Sequence, residues 1–351
     1  MPDTAYRHLP WPAAASLDAP ARLRHLVAGA LRTGRPLALW REPGAAQPQL
    51  LVARALEATY TGLPPALDAQ APAGFAFFPF RDSDHNPALF LPADVRYDLA
   101  RPETVAVAPA ARALVPNLTA WLALPTPELA WHYSTQPAPP TATQADYFAL
   151  VRTGVAAIEA REVVKVVSSR AARRALPPGF DPLEAFAELS TQYPRAFVSL
   201  VSVPGVGTWL GASPEVLAEV TADGQFHTMA LAGTQPIVAG LLPQEAIWRQ
   251  KEIEEQALVA RYIVNCFKQL RLREYTKRGP VPWPPASYCT CAPILKWTCA
   301  TCPTPPRWAP TCCACCTPPR PWAACPKWPR WPFCSSTKAT TVPTTAAFWG
   351  R

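Results

Sequence analysis

The sequence predicts a fold that mixes helices and strands, and three observations predict it. Short apolar runs rich in β-branched and aromatic residues recur as far as residue 234. Between them lie longer stretches with apolar residues every three or four positions, over 20–32, from 143 onward and over 244–273. The first pattern suits strands and the second suits helices. The third observation is size: 351 residues with 49% hydrophobic content are enough for one large domain or two ordinary ones.

Taken in order, "PARLRHLVAGALR" (20–32) has helical spacing, and "PLALW" and "LLVARAL" are short strands or buried elements. "GFAFFPF" reads as a strand, and "FLPADVRYDL" as another, interrupted at Pro92. Residues 123–142 are rich in Pro and Thr and read as a linker or long loop after an N-terminal part, 1–122. Thr143 and Asp146 fit the start of a helix, followed at helical spacing by Phe148, Val151, Val155 and Ile158. "VVKVVSS" then has strand-like β-branched density. "AFVSLVSV" and "GTWLGA" are further strands. "SPEVL" predicts a helix with Ser213 as N-cap and Pro214 in its first position. "FHTMALAGT" is a strand entering a glycine turn. Residues 244–273 predict a long helix with Ile247, Ile253, Leu258, Tyr262 and Val264 on its apolar side. Its acids come early and its Lys and Arg late, as the helix dipole favours. There is no internal repeat.

Charge and cysteine divide the chain near residue 279. The net charge is +8, which suggests a nucleic-acid partner. However, nine of the 33 Lys and Arg follow Glu274 and none of the 25 acids do, so the first 274 residues carry a net −1. Ten of the eleven cysteines also follow Glu274, leaving Cys266 alone before it. A body with one cysteine suits a reducing compartment. No run of roughly 18 apolar residues marks a membrane span, and the N-terminus lacks a signal pattern. A cytoplasmic protein without nucleic-acid or membrane partners is expected. His8, His25, His85, His132 and His227 show no ligand spacing and read as structural or surface residues.

Four segments carry the chemistry: "VVKVVSSR" (163–170), "GASPEVL" (211–217), "ALAGTQP" (230–236) and "KEIEEQALV" (251–259). Singly, a strand lysine, a Ser-Pro-Glu cap, a glycine turn and a charged helix face are ordinary features. Together and in this order, over about 140–274, they resemble the chorismate-utilising enzymes and are most similar to isochorismate synthases. The resemblance implies an α+β fold like that of anthranilate synthase component I, with packed β-sheets and outer helices. It places the chorismate-binding core at 143–278 and implies a monomer. The implied reaction is the Mg²⁺-dependent, reversible conversion of chorismate to isochorismate. Water adds at C2 while the C4 hydroxyl leaves, which requires a base, an acid and a cation.

By the resemblance, Lys165 matches the water-activating base. Its reference pKa of about 10.4 must then be lowered by burial or a nearby cation. Glu215 matches the general acid and needs a raised pKa, which a helix start would oppose. Glu255 matches one of two magnesium-binding glutamates. Ala212, Ser213, Gly233 and Thr234 match the substrate-binding positions. Relatives that use ammonia usually carry Gln at the Lys165 position, so lysine favours the water-using branch. That branch includes salicylate synthases, which also eliminate pyruvate. The pathway, menaquinone or siderophore, stays open.

The tail, 279–351, is a different object. Positions 309–334 alone hold six Cys, three Trp and seven Pro. Cys299-x-x-Cys302 has zinc-ligand spacing, but the tail has no His and its second cluster is Cys-Cys-Ala-Cys-Cys. A non-catalytic protein with a metal-binding tail is the alternative outside the enzyme class. Disulfides conflict with the one-cysteine body, and nucleic-acid binding by Trp and Arg lacks any periodicity. The composition also fits translation in the wrong frame. Cys and Trp codons begin TG, and read one base earlier they become Leu, Val or Met. Within Cys312–Lys327 the alternative reading can give "LRLLHPTSAVGGMPK", similar to a family stretch "HPTPAVxGxP". Within Tyr288–Ala292 it can give "LHLR", and over Pro326–Gly350 "PKVAALAFLLEHEGYDRTYYSGFLG". A frame change near 279–281 would remove the family's second metal glutamate, its substrate-binding histidine and its last core strands. A poorly ordered tail and exposed apolar surface on the body are therefore expected.

Overall fold

The computed structural model describes residues 6–10, 17–55, 57–60, 73–79, 88–99, 104–114, 120, 128–137, 141–221, 225–232, 234–236, 247–269, 275–283, 288–297 and 345–349. Its helices are α1 (Ala19–Arg32), α2 (Gln144–Glu159), α3 (Pro182–Gln192) and α4 (Gln250–Gln269). Its strands in the first half of the chain are β1 (Arg7–Pro10), β2 (Leu37–Arg41), β3 (Gln49–Val52), β4 (Glu57–Tyr60), β5 (Gly74–Phe78), β6 (Ala88–Pro92), β7 (Val95–Asp98) and β8 (Thr104–Val107). The second half adds β9 (Phe197–Val203), β10 (Gly207–Ser213), β11 (Glu219–Val220), β12 (Phe226–Met229), β13 (Thr234–Pro236), β14 (Thr276–Trp283), β15 (Tyr288–Trp297) and β16 (Thr345–Trp349).

A seven-stranded antiparallel sheet in the order β1-β8-β7-β3-β2-β9-β10 forms the centre. β2 lies in its middle and is buried on both faces. Side chains alternate along a strand, so Leu37 and Leu39 join α1 and α3 in one core, with Leu26, Val27, Leu31, Leu183 and Phe186. Ala38 and Trp40 face the other way and meet Phe75, Phe77 and Leu91. The last three belong to a four-stranded sheet, β16-β5-β6-β4. The result is helices on one side of the central sheet and a second sheet on the other, the α+β arrangement of packed sheets and outer helices that the resemblance implies.

Local chemistry explains the elements. Asp18 caps α1 by accepting from the Ala21 amide at 2.8 Å. Thr143 and Asp146 form a reciprocal capping box at the start of α2. Asp181 caps α3, which the sequence reading missed, and pairs with Arg24 on α1. The β9–β10 hairpin turns at Gly205 and Gly207, whose φ values of +75° and +104° suit glycine. His132 bonds Ser202 at 3.1 Å, Ser202 bonds Thr208 at 2.8 Å, and Thr208 donates to the His132 carbonyl at 2.9 Å. That closed set ties the 128–137 segment to the hairpin, a structural role for this histidine. His85 lies outside the described residues. No helix among the described residues is long and apolar enough to cross a membrane.

Several expectations are corrected. "FLPADVRYDL" is two strands in different sheets, β6 ending at Pro92 and β7 starting at Val95. "VVKVVSS" forms no strand, because among the described residues no neighbouring strand pairs with it. "SPEVL" starts no helix: β10 continues through Ser213, and the Ser213 hydroxyl accepts from the Glu215 amide at 3.3 Å in a local turn. Proline's fixed φ suits that turn as well as a helix start. The long helix is described over Gln250–Gln269, and its buried face is Gln256, Ala260, Ile263, Cys266 and Phe267. Ile247 precedes it and is exposed, as are Ile253 and Tyr262. Within the tail, β15 pairs with β12, β13 and β14, and β16 with β5. Residues 298–344 lie outside the described residues.

Candidate active site

The motif residues approach one another from three directions. Lys165 lies on the unpaired segment after α2, Glu215 on the turn after β10, and Glu255 on the second turn of α4. Lys165 Nζ donates to Glu255 Oε1 at 3.0 Å, with side chains 29% and 36% exposed. Glu215 retains open surface by area, yet protein crowds its carboxyl. That burial raises its pKa, and the nearby Lys165 ammonium opposes the rise in part. Crowding by protein therefore outweighs both the remaining exposure and the attraction. A lysine ammonium bonds one carboxylate and acts electrostatically on a second, which is biased towards its protonated form.

Ala212 and Ser213 end β10, shortly before Glu215 in the chain. A hollow of about 340 Å³ adjoins this turn, lined by Leu189, Tyr193, Ala196, Leu210, Gly211, Ala212 and Pro214. Its lining does not include Lys165, Glu215 or Glu255. Thr234 opens β13, paired with Thr290 of β15. Gly233 lies outside the described residues.

The sequence reading missed Gln256. It is 5% exposed, and its Nε2 donates to the Ala230 carbonyl at 2.7 Å while its Oε1 accepts from the Ala232 amide at 2.9 Å. This side chain fastens the segment leading to Gly233 and Thr234 onto the helix that carries Glu255. The available signal is a polar residue in register with Ala260, Ile263 and Phe267 on a buried helical stripe. Gln256→Leu leaves an amide and a carbonyl without partners, so unfolding stability should fall by about 1–3 kcal/mol. Urea titration and faster hydrogen exchange at Ala232 would measure this loss.

Magnesium needs several oxygen ligands. Among the described residues no three His, Cys, Asp or Glu side chains could hold a metal together, and Glu255 is engaged by Lys165. The described residues thus do not by themselves compose a magnesium site.

Residues 78–273, more than half of the chain, match the family described as chorismate binding enzyme. Among solved structures, MenF, the menaquinone-specific isochorismate synthase from Escherichia coli, is similar with a TM-score of 0.54 and 14% identity. That match covers 84% of this chain and 71% of MenF. The candidate 2,3-dihydroxybenzoate-specific isochorismate synthase DhbC from Bacillus anthracis gives a TM-score of 0.51 at 13% identity, covering 84% of this chain and 76% of that one. No curated protein matches the sequence. With the motif residues gathered as described and the family match spanning them, this chain belongs to the chorismate binding enzymes.

Proposed function

We propose that this protein is an isochorismate synthase, converting chorismate to isochorismate by adding water at ring C2 and releasing the C4 hydroxyl as water. The observation that supports this most is the Lys165 ammonium, bonded to Glu255 at 3.0 Å and acting on a Glu215 whose carboxyl burial biases towards the proton-bearing form. Lys165 takes a proton from the attacking water as the C2–O bond forms. For that it must present a lone pair, so its ion pair with Glu255 has to open. The ring double bonds shift, the C4–O bond breaks, and Glu215 gives its proton to the departing hydroxyl. One water enters and one leaves, so proton return from Lys165 to Glu215 resets the site and the reaction runs in both directions. Ala212, Ser213, Gly233 and Thr234 are the proposed substrate contacts. Magnesium dependence belongs to the proposal, with Glu255 as a ligand; the proton steps use the chain's own side chains. A monomeric, cytoplasmic protein is part of the same reading.

The same lysine would serve a salicylate synthase, and product analysis separates the two. Incubation with chorismate should yield isochorismate without pyruvate. Pyruvate release would favour the second activity, and an aminated product would contradict both.

Glu215 also gives a pH signature. A carboxyl whose pKa is raised on folding binds its proton more tightly in the folded state. It costs nothing below the unfolded pKa, and its destabilising effect grows as pH rises from the unfolded pKa to the folded one. Glu215→Gln should therefore be more stable than the parent at neutral pH, with the difference vanishing in acid. Thermal melts across that range check it, and a stability difference independent of pH would contradict it.

A further inference from the structure

One surface of the body is unfinished. α2 has Phe148, Val151, Val155 and Ile158 at spacings of three and four, and they are 48%, 37%, 49% and 42% exposed. Among its residues only Ala157 is buried. The segment beyond it lies against the same helix, because a Cβ at Gly154 would touch Val166 at 3.6 Å and Tyr147 bonds Ser168 at 3.2 Å. In that segment Val164 is 73% and Val167 82% exposed. No residue from Val163 to Leu176 belongs to a helix or strand. β-branched residues in an extended segment call for a paired, covered strand, and an apolar face of this size calls for a partner.

We propose that the partner is this protein's own C-terminal part, encoded by the same nucleotides as residues 281–351 but read one base earlier. The genetic code makes much of that reading independent of any choice of bases. Each of the ten Cys and seven Trp codons after Glu274 begins TG. Read one base earlier, each becomes NTG, which encodes only Leu, Val or Met. Seventeen aliphatic positions result, with no other choice of residue type. The base after each TG of a Trp codon is G, which fixes seven more residues. The junctions at Trp283, Trp328 and Trp331 give Ala, those at Trp308, Trp322 and Trp349 give Gly, and Trp297–Thr298 gives Asp. That Asp is an acid in a region that has none as written. Proline codons become NCC, encoding Pro, Ser, Thr or Ala, and the three that follow a Trp codon, Pro284, Pro329 and Pro332, become Ala. An acid-free, Cys/Trp/Pro-rich tail thus conceals a Leu/Val/Ala-rich segment with strand-compatible composition.

The test compares the full chain as written with the chain from a gene carrying one inserted base at codons 279–281. Hydrogen exchange over 144–168 and binding of the dye ANS are the readouts, neither of which involves catalysis, so failure of the chorismate reading is separately visible. The inserted-base protein should exchange about tenfold or more slowly at 163–168, bind less dye, and melt cooperatively at higher temperature. Unchanged exchange and dye binding, or an inserted-base protein that does not fold, would overturn the proposal. So would a chain as written that already protects 144–168 by self-association in size-exclusion chromatography. Peptide mass spectrometry of the protein from its source cells gives an independent check: alternative-frame peptides support the proposal, and Cys-rich peptides from 309–334 overturn it.

Discussion

In the protein with the one-base insertion, Lys165→Ala should lower chorismate turnover by about 10²–10⁴-fold, the usual contribution of one positioned proton-transfer group. Stability should hardly change. The Lys165–Glu255 pair is partly exposed on both sides, and such pairs contribute on the order of 0–1 kcal/mol. The two readouts therefore separate a catalytic base from a structural lysine. A merely solvated lysine would leave both turnover and melting temperature where they were. A structural one would lower both together. The expected signature is lost turnover with an intact melt, and a variant with full turnover would remove Lys165 from the mechanism. Lys165→Gln sharpens the test, because it can still hydrogen-bond Glu255 but cannot take a proton.

Trp40→Ala should be the most damaging core substitution, with a loss of about 3–5 kcal/mol. Trp40 is 1% exposed on β2, the strand between β3 and β9, and its ring lies 5.8 Å from that of Phe75 across the two sheets. Phe75, Phe77, Leu91, Val201 and Val203 share this core, but the small Ala38, Ala53 and Ala93 lie among them. Small neighbours cannot collapse into the cavity, so the transfer and cavity terms add. Trp40→Phe keeps an aromatic ring against Phe75 and should lose much less. Urea unfolding of both variants measures the difference, and equal, small losses would mean that the two sheets do not depend on this contact.

The parts of the fold legible in the sequence are those where local and tertiary demands agree. The Thr143–Asp146 capping box is local chemistry and forms as expected. "PLALW" is a continuous apolar run and "AFVSLVSV" is broken only by Ser199 and Ser202, because β2 and β9 are covered on both faces. The illegible parts are those where a distant partner decides. "VVKVVSS" has strand composition, but a strand exists only when another pairs with it. Ser213 and Pro214 suit a helix start and a turn equally well, and the length of β10 selects the turn. On α4 the apolar residues mislead because the buried stripe begins with a glutamine, whose amide is consumed by Ala230 and Ala232. The candidate site was legible as a set of motifs, and the structure brings Lys165, Glu215 and Glu255 into one neighbourhood. It was not legible that the proposed base and the proposed metal-binding glutamate would bond to each other.

The most direct measurement is a proton NMR time course of chorismate with each form of the protein, as written and with the inserted base, in the presence of Mg²⁺. Isochorismate resonances should rise to an equilibrium mixture with the inserted-base protein, and none should appear when Lys165 is replaced in it. Chorismate left untouched by a folded inserted-base protein, or consumed equally well without Lys165, would contradict it.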